Sequence, residues 1–384
     1  MAEWLTLQDA GDRIFDHCFV VLNPLERDAR TLNIIRTLLA DGQSVCFVGL
    51  ASDDHTVLEN DQVTIIEVET RFTRFYRFWI DFQWRLFRHR NKIKAKTYWS
   101  EDLYSLPITS RLSRNHKGRL IYDSREVYSA LGTIHHKPWR QTFFSGLEKH
   151  YIKQCDRIFT SGELDSEYLK NRYDIDLPAV VMNVPHKKEV KKNDKIREFW
   201  GLSADANILL YQGMIGRGRG MLPVLESLSL LDDVVLCLLG DGGLVHHIKR
   251  RAKELGVDKR VQHREWVPYD ELLEWTSSAD AGLAFIEPVS LSYRFALPNK
   301  LFEYAMAGIP ALISDLPAMR KILDEFPMGE IMPPDATPEM MTNAIRKLMN
   351  PELRDEYQEA CKKVANKYCW ENQIPIILNL ARPT

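Results

Sequence analysis

Apolar positions along the chain fall into two alternating series. In the first half, short β-branched or aromatic runs at 18–22, 44–48, 63–68, 120–122, 157–160 and 180–182 alternate with stretches of helical period. Residues 28–39 form one such stretch, with Leu32, Ile35, Leu38 and Leu39 on one face. In the second half, runs at 207–211, 234–239, 261–267, 282–286 and 311–314 alternate with amphipathic stretches such as 221–230 and 338–349. This alternation predicts parallel sheets wrapped by helices, and two series predict two Rossmann-like, doubly wound α/β domains. The polar, lysine-rich run His-Lys-Lys-Glu-Val-Lys-Lys-Asn-Asp-Lys at 186–195 reads as a solvated linker between them. The expected domains are 1–184 and 185–367, followed by an apolar tail at 368–384 interrupted by Pro375.

Composition excludes several classes. A chain of 384 residues, 45% hydrophobic and 27% charged, has the profile of a globular protein. No apolar run reaches 18 residues, so no membrane-spanning helix is expected. The start, MAEWLTLQDAGDRIFDH, is acidic and polar, unlike a secretory signal. Six cysteines without a CxxC pair read as buried thiols of a reducing compartment. The expected location is cytoplasmic, at the inner face of the cell membrane.

The net charge of −2 conceals one strong local feature. Residues 71–96 hold nine Lys/Arg against one acidic residue, together with eight of the chain's 39 aromatics. At helical spacing, Phe72, Phe75, Tyr76, Trp79, Phe82, Gln83 and Leu86 share one face. Arg74, Arg77, Asp81, Arg85 and Arg88 share the opposite one, and Arg90, Lys92, Lys94 and Lys96 prolong the charge. Two uses fit: insertion into an anionic membrane interface, or a core helix with a solvated arginine face. No nucleic-acid-binding module accompanies the charge, so nucleic acid is not an expected partner.

The segment richest in chemistry is ALPNKLFEYAMAGIPA, residues 296–311. Pro298 suits a helix start, strong helix formers follow, and Gly308-Ile309-Pro310 ends the helix. Its first-turn amides make an anion site, with Lys300 and Glu303 three residues apart on one face. A cation for a phosphate and a carboxylate for neighbouring hydroxyls suit a diphosphate next to a diol. A second stretch, Tyr211-Gln212-Gly213-Met214-Ile215-Gly216-Arg217-Gly218-Arg219-Gly220, joins a strand to a helix. Its glycines admit close approach of backbone to phosphate, and its arginines neutralise charge.

These motifs resemble the C-terminal signature of the family 4 glycosyltransferases, which transfer sugar from a nucleotide sugar with retention. Members carrying PNKLFEYxAxGxP are common among bacterial cell-surface polysaccharide enzymes. The resemblance implies the GT-B fold: two Rossmann-like domains with an inter-domain cleft, and a C-terminal tail that crosses back to the first domain. It implies that Glu303 binds the ribose hydroxyls and that Arg219, at the Lys/Arg position before the last glycine, binds the diphosphate with Lys300. Gly213, Arg217, Pro298, Asn299 and Leu301 then line the donor. Leu239-Gly240-Asp241-Gly242-Gly243 and Glu265-Trp266-Val267-Pro268 border the nucleobase in the same frame. Gly240, Asp241 and Val267 are the candidates there, although Gly-Asp-Gly-Gly also suits a plain turn. The donor is a nucleotide sugar and the acceptor a sugar or lipid-linked sugar. No cofactor or metal is expected: the adjacent pairs His135-His136 and His246-His247 read as surface histidines.

Two departures stand out. The family's first paired carboxylate lies eight residues before the ribose Glu, and here that position is Phe295; Glu287 is the nearest upstream carboxylate. Asp123-Ser124-Arg125-Glu126 occupies the place of a D-x-H-E pattern, with Arg125 replacing the His. Arg27, Arg30, Arg125 and Glu126 are the candidates for the acceptor side, and Asp28 reads equally as a helix cap. Beside transfer, the departures leave open a silent binding or regulatory subunit, or a nucleotide-sugar epimerase on the same fold.

Overall fold

A computed structural model describes the chain except residues 1, 2, 8–10, 12, 53–57, 59, 73, 135 and 384, so His135 lies outside the described residues. The chain divides into two compact units, Met1–Met182 with Gln373–Thr384, and Asn183–Asn372.

The first unit holds eight parallel strands: β1 (Glu3–Thr6), β2 (Ile14–Val20), β3 (Val45–Leu50), β4 (Val63–Val68), β5 (Lys94–Ser100), β6 (Arg119–Ser124), β7 (Arg157–Thr160) and β8 (Ala179–Val180). Their order is β1-β4-β3-β2-β5-β6-β7-β8. The central strands are buried on both faces, which is why they read as near-continuous apolar runs. The order reverses between β2 and β5, so loops at the carboxyl ends of these strands open the crevice where α/β sheets accept ligands. Helix Ile374–Ala381 belongs to this unit, and Arg119 donates to the carbonyls of Ala381 (3.1 Å) and Leu380 (3.3 Å).

The second unit holds β9 (Asn207–Gln212), β10 (Val234–Leu239), β11 (Val261–Arg264), β12 (Ala281–Ala284), β13 (Ala311–Ser314) and β14 (Gly329–Met332). All are parallel, in the order β11-β10-β9-β12-β13-β14, and the reversal lies between β9 and β12. The run 186–195 is largely exposed up to the start of helix Lys195–Trp200. Lys192 is tied to the second unit through Asp280 at 2.9 Å.

Three strands escaped the sequence pattern. β1 and β14 are four-residue edge strands, too short to show a period. β5 matters more, because it cuts the basic run. The helix covers Phe75–Arg88, and Lys94 and Lys96 belong to a strand in which Ala95 and Thr97 point inward. Lys96 pairs with Asp16 at 2.8 Å.

The helix Phe75–Arg88 turns the aromatic face grouped by its period toward the core, as the second expectation has it. Phe82 and Leu86 are fully buried, while Trp79 Nε1 and Gln83 Nε2 both donate to the Tyr104 carbonyl, at 2.7 and 2.8 Å. That face is therefore core. Among the helix's exposed apolar residues, Ile80 (60%), Trp84 (52%) and Phe87 fall at i, i+4 and i+7. The sequence reading passed over that stripe because it lies among the arginines. Arg88 stacks on Trp84, and Arg90 and Arg111 on Phe87. On helix Pro138–Ile152, Trp139 and Phe143 are also exposed; their rings meet Tyr76 and Trp79, and Arg140 lies over both Tyr76 and Trp139. A groove of about 400 Å³ beside it is lined by Phe72, Arg77, Ile80, Asp81 and Trp84.

Candidate functional site

The loops leaving β9 and β12 flank the reversal of the second sheet, and together with the helix Asn299–Met306 they carry most of the predicted donor residues. The glycine loop after β9 is stitched to its neighbour after β10: the Gly213 N–H donates to the Leu239 carbonyl at 2.8 Å and the Ile215 N–H to that of Asp241 at 2.9 Å. Gly240 has φ +141°, and a Cβ there would collide with the Gly213 carbonyl, so the two turns approach as only glycine permits. The Gly240 N–H donates in turn to Arg264 at 2.9 Å, the last residue of β11. The following loop holds half-buried Val267 beside exposed Trp266.

Helix Asn299–Met306 starts at Pro298, whose extended conformation sets the entry, and faces this loop. Lys300 Nζ lies 3.5 Å from the Tyr211 ring centroid, and a Cβ on Gly213 would sit 3.7 Å from the amine. Arg219 lies 4.9 Å from the ring centroid of Tyr293. Burial, reinforced by the Arg219 charge, pushes the Lys300 ammonium well below its ordinary range, with Glu303 opposing. Burial likewise raises the Glu303 carboxyl, against the Gln212 hydrogen bond and Lys300. Glu303 accepts from Gln212 Nε2, and Gln212 Oε1 accepts from Thr276 at 2.9 Å. The structure thus gathers Arg219, Lys300 and Glu303 around the glycine loop.

Other predicted residues sit elsewhere. The Leu301 side chain is fully buried and its N–H is bonded to the Pro298 carbonyl at 3.0 Å, so it offers packing, not a ligand contact. Asn299, Arg217 and the Asp241 side chain are exposed. Glu287 answers a question its position in the sequence left open. Its Oε1 accepts from the Gly220 N–H at 3.2 Å and its own N–H donates to Gly218 at 3.0 Å, so it braces the end of the loop that carries Arg219.

In the first unit, Arg27 is exposed beside Glu26, and Glu126 is exposed. Asp28 caps helix Ala29–Ala40 by accepting from the Thr31 N–H at 3.0 Å. Arg30 is not on a loop. It lies in the first turn of that helix, 4% exposed, paired with Asp123 at 2.7 Å and donating to the Val181 carbonyl. Arg125 pairs with Asp28, Asp123 and Glu101. Both arginines read as ligand groups in the sequence, and both are engaged by internal carboxylates. Among the described residues, no group of three or more His, Cys, Asp and Glu is placed to hold a metal.

Residues 192–368 match the family described as Glycosyl transferases group 1. The match covers a little less than half of the chain. It contains the whole cluster of Arg219, Lys300, Glu303 and Glu287. Among curated proteins, the lipopolysaccharide 1,2-N-acetylglucosaminetransferase of Salmonella typhimurium is 26% identical over 227 residues, 54% of this chain and 58% of that one. The chain thus spans little more than half the length of this relative. Among solved structures, the sucrose-phosphate synthase of Thermosynechococcus elongatus superposes with a TM-score of 0.79 at 15% identity, covering 95% of this chain and 97% of that one. Anabaena HepE, in complex with UDP and glucose, gives 0.75 at 11%, covering 95% and 99%. The fold is GT-B.

Proposed function

We propose that the protein is a glycosyltransferase that moves a sugar from a nucleoside diphosphate sugar to a sugar or lipid-linked acceptor. The convergence of Arg219, Lys300 and Glu303 on the glycine loop carries this reading. In this reading two basic side chains meet the charge of the leaving diphosphate, and a buried carboxylate accepts from the ribose hydroxyls. Two basic side chains at this position support transfer without a metal, and the resemblance to family 4 supports retention. The lipopolysaccharide relative supports a place in cell-surface glycan synthesis, and the UDP-bound neighbour makes UDP the first nucleotide to test. Calorimetry with a nucleoside diphosphate panel, followed by donor turnover with and without a chelator, tests this reading. Absence of any nucleotide binding defeats it. Binding without turnover on any acceptor supports a silent subunit, the reading favoured by the internal engagement of Arg125.

The aromatic and arginine surface supports a lipid-linked acceptor met at an anionic bilayer. No helix among the described residues is long and apolar enough to cross a membrane. Ile80, Trp84, Phe87, Trp139 and Phe143 provide interfacial side chains, flanked by Arg77, Arg88 and Arg140 for anionic headgroups. Flotation with anionic vesicles should fall sharply in an Ile80→Ser/Trp84→Ser variant, whereas core-facing Phe82 is not part of the contact. Equal flotation of variant and wild type removes the membrane from the proposal.

A further inference from the structure

The carboxyl ends of β2, β5 and β6, beside the reversal in the first sheet, enclose a group of charges that does not balance. Arg30 and Arg125 supply two positive charges. Asp28, Asp123 and Glu101 supply three negative ones, and all three carboxylates are buried, Asp123 and Glu101 with no exposure at all. Arg30 takes both Asp123 oxygens, at 2.7 and 3.0 Å. Arg125 reaches Asp123 with Nε (2.9 Å), Asp28 with Nη1 (2.7 Å), and both Thr31 Oγ1 (2.6 Å) and Glu101 Oε2 with Nη2. Thr31 Oγ1 donates to the same Glu101 Oε2 at 3.1 Å. Glu101 Oε1 is buried with no hydrogen-bond partner among the described residues. Half-buried Asp102, which accepts from the Ser105 N–H, and buried Tyr128 also face Arg125, and neither brings positive charge.

Each carboxylate is not equally placed to keep its charge. Asp123 receives two guanidinium groups, and Asp28 receives one guanidinium and a backbone amide. Glu101 shares one arm of Arg125 with Thr31 and leaves an oxygen bare. A bare, fully buried carboxylate oxygen is the most costly of these to hold ionised, and a proton on it removes the charge excess and lowers that cost to that of a neutral polar group. We infer that Glu101 is carried as the neutral acid, and that in this form it is the positioning residue for Arg125, the one partly exposed member of the group. Arg125 is thereby fixed at the strand ends by a charge-balanced set of two guanidiniums, two carboxylates and one carboxylic acid. Burial raises the Glu101 carboxyl to about 8, with Asp123 and Asp28 acting in the same direction and Arg125 opposing, in line with this arrangement.

The linkage has a definite sign. A carboxyl whose folded value is raised binds a proton in the folded state that the unfolded chain has released. Its contribution to stability is complete below the unfolded value and is lost as pH rises through the folded one. The wild-type unfolding constant should therefore carry an added rise of up to tenfold per pH unit between about 4.5 and about 8, and Glu101→Gln should lack it. The direct readout is infrared. At pH 7, the carbonyl stretch of a protonated carboxylic acid should appear in the wild-type-minus-Glu101→Gln difference spectrum. Glu148 and Asp165, whose burial also raises them, contribute equally to both spectra and cancel. Asp28→Asn is the second variant, because Asn caps a helix as well as Asp. With one negative charge removed, Glu101 should ionise, and the same band should be lost with Glu101 still in place. A flat difference spectrum for Glu101→Gln overturns the assignment. A band that survives in Asp28→Asn overturns the charge-balance argument. Neither readout depends on sugar transfer or nucleotide binding.

Discussion

Two sets of cations stand at the strand ends of the two sheets, and their partners differ in kind. In the first unit, Arg30 and Arg125 are held by carboxylates, with Asp123 shared between them at 2.7 and 2.9 Å. In the second, Lys300 and Arg219 rest against the aromatic rings of Tyr211 and Tyr293. A ring face orients a cation without neutralising it, whereas carboxylates consume its charge. The second set is therefore free to meet an anion, and the first is committed to the fold. Sequence alone cannot separate the two, because an arginine near a strand end looks the same in both.

The sharpest way to break this comparison is to remove one cation from each set and measure stability. Arg30→Met should destabilise the protein by about 3–5 kcal/mol, since it strips a partner from a fully buried carboxylate. Lys300→Met should be neutral or stabilising at pH 7, because burial already disfavours its charge and the stem is retained. Urea unfolding at pH 7 checks both. Similar losses in the two variants would abolish the distinction.

The next effect is on ligand binding. Lys300→Met and Arg219→Ala should each weaken binding of a nucleoside diphosphate by about 1.5–3 kcal/mol, roughly 10- to 150-fold, while leaving the fold intact. Because the free Lys300 amine is pushed down, an arriving diphosphate should raise it and draw in a proton. Calorimetry in buffers of different ionisation enthalpy should register that uptake in wild type and miss it in Lys300→Met. Identical proton counts would show that Lys300 does not face the diphosphate.

The sequence was most legible where a local pattern and a local function coincide. The motif at 296–311 predicts its own helix, and that helix places Lys300 and Glu303 where the glycine loop can meet them. The two parallel sheets were legible for a similar reason, since doubly buried strands announce themselves as apolar runs. What stayed hidden depended on distant partners. The period of helix Phe75–Arg88 grouped Trp79, Phe82, Gln83 and Leu86 correctly, but the Tyr104 carbonyl that holds this face is 25 residues from Trp79, and spacing alone did not single out the exposed Ile80, Trp84 and Phe87. Arg30 is set by Asp123, 93 residues away, and no local signal marks that pairing. Glu287 falls in the same class, joining Gly220 across 67 residues.

That last contact gives the smallest and most discriminating effect. Glu287 touches neither Lys300 nor Glu303 through any bond described above, yet its carboxylate holds the Gly220 amide and its backbone holds Gly218, the residues on either side of Arg219. If it acts by holding the loop, the hydrogen bond matters and the charge does not. Glu287→Gln keeps an acceptor oxygen and should bind nucleotide within a few-fold of wild type. Glu287→Ala frees the Gly220 amide and should weaken binding by about 1 kcal/mol, close to fivefold, with no change in proton uptake. If Gln and Ala behave alike and both lose binding by tenfold or more, the carboxylate charge itself meets the ligand. Glu287 would then supply the role that Phe295 cannot. The Gln variant alone therefore decides whether the second unit's cations are positioned by a brace or answered by a second functional carboxylate.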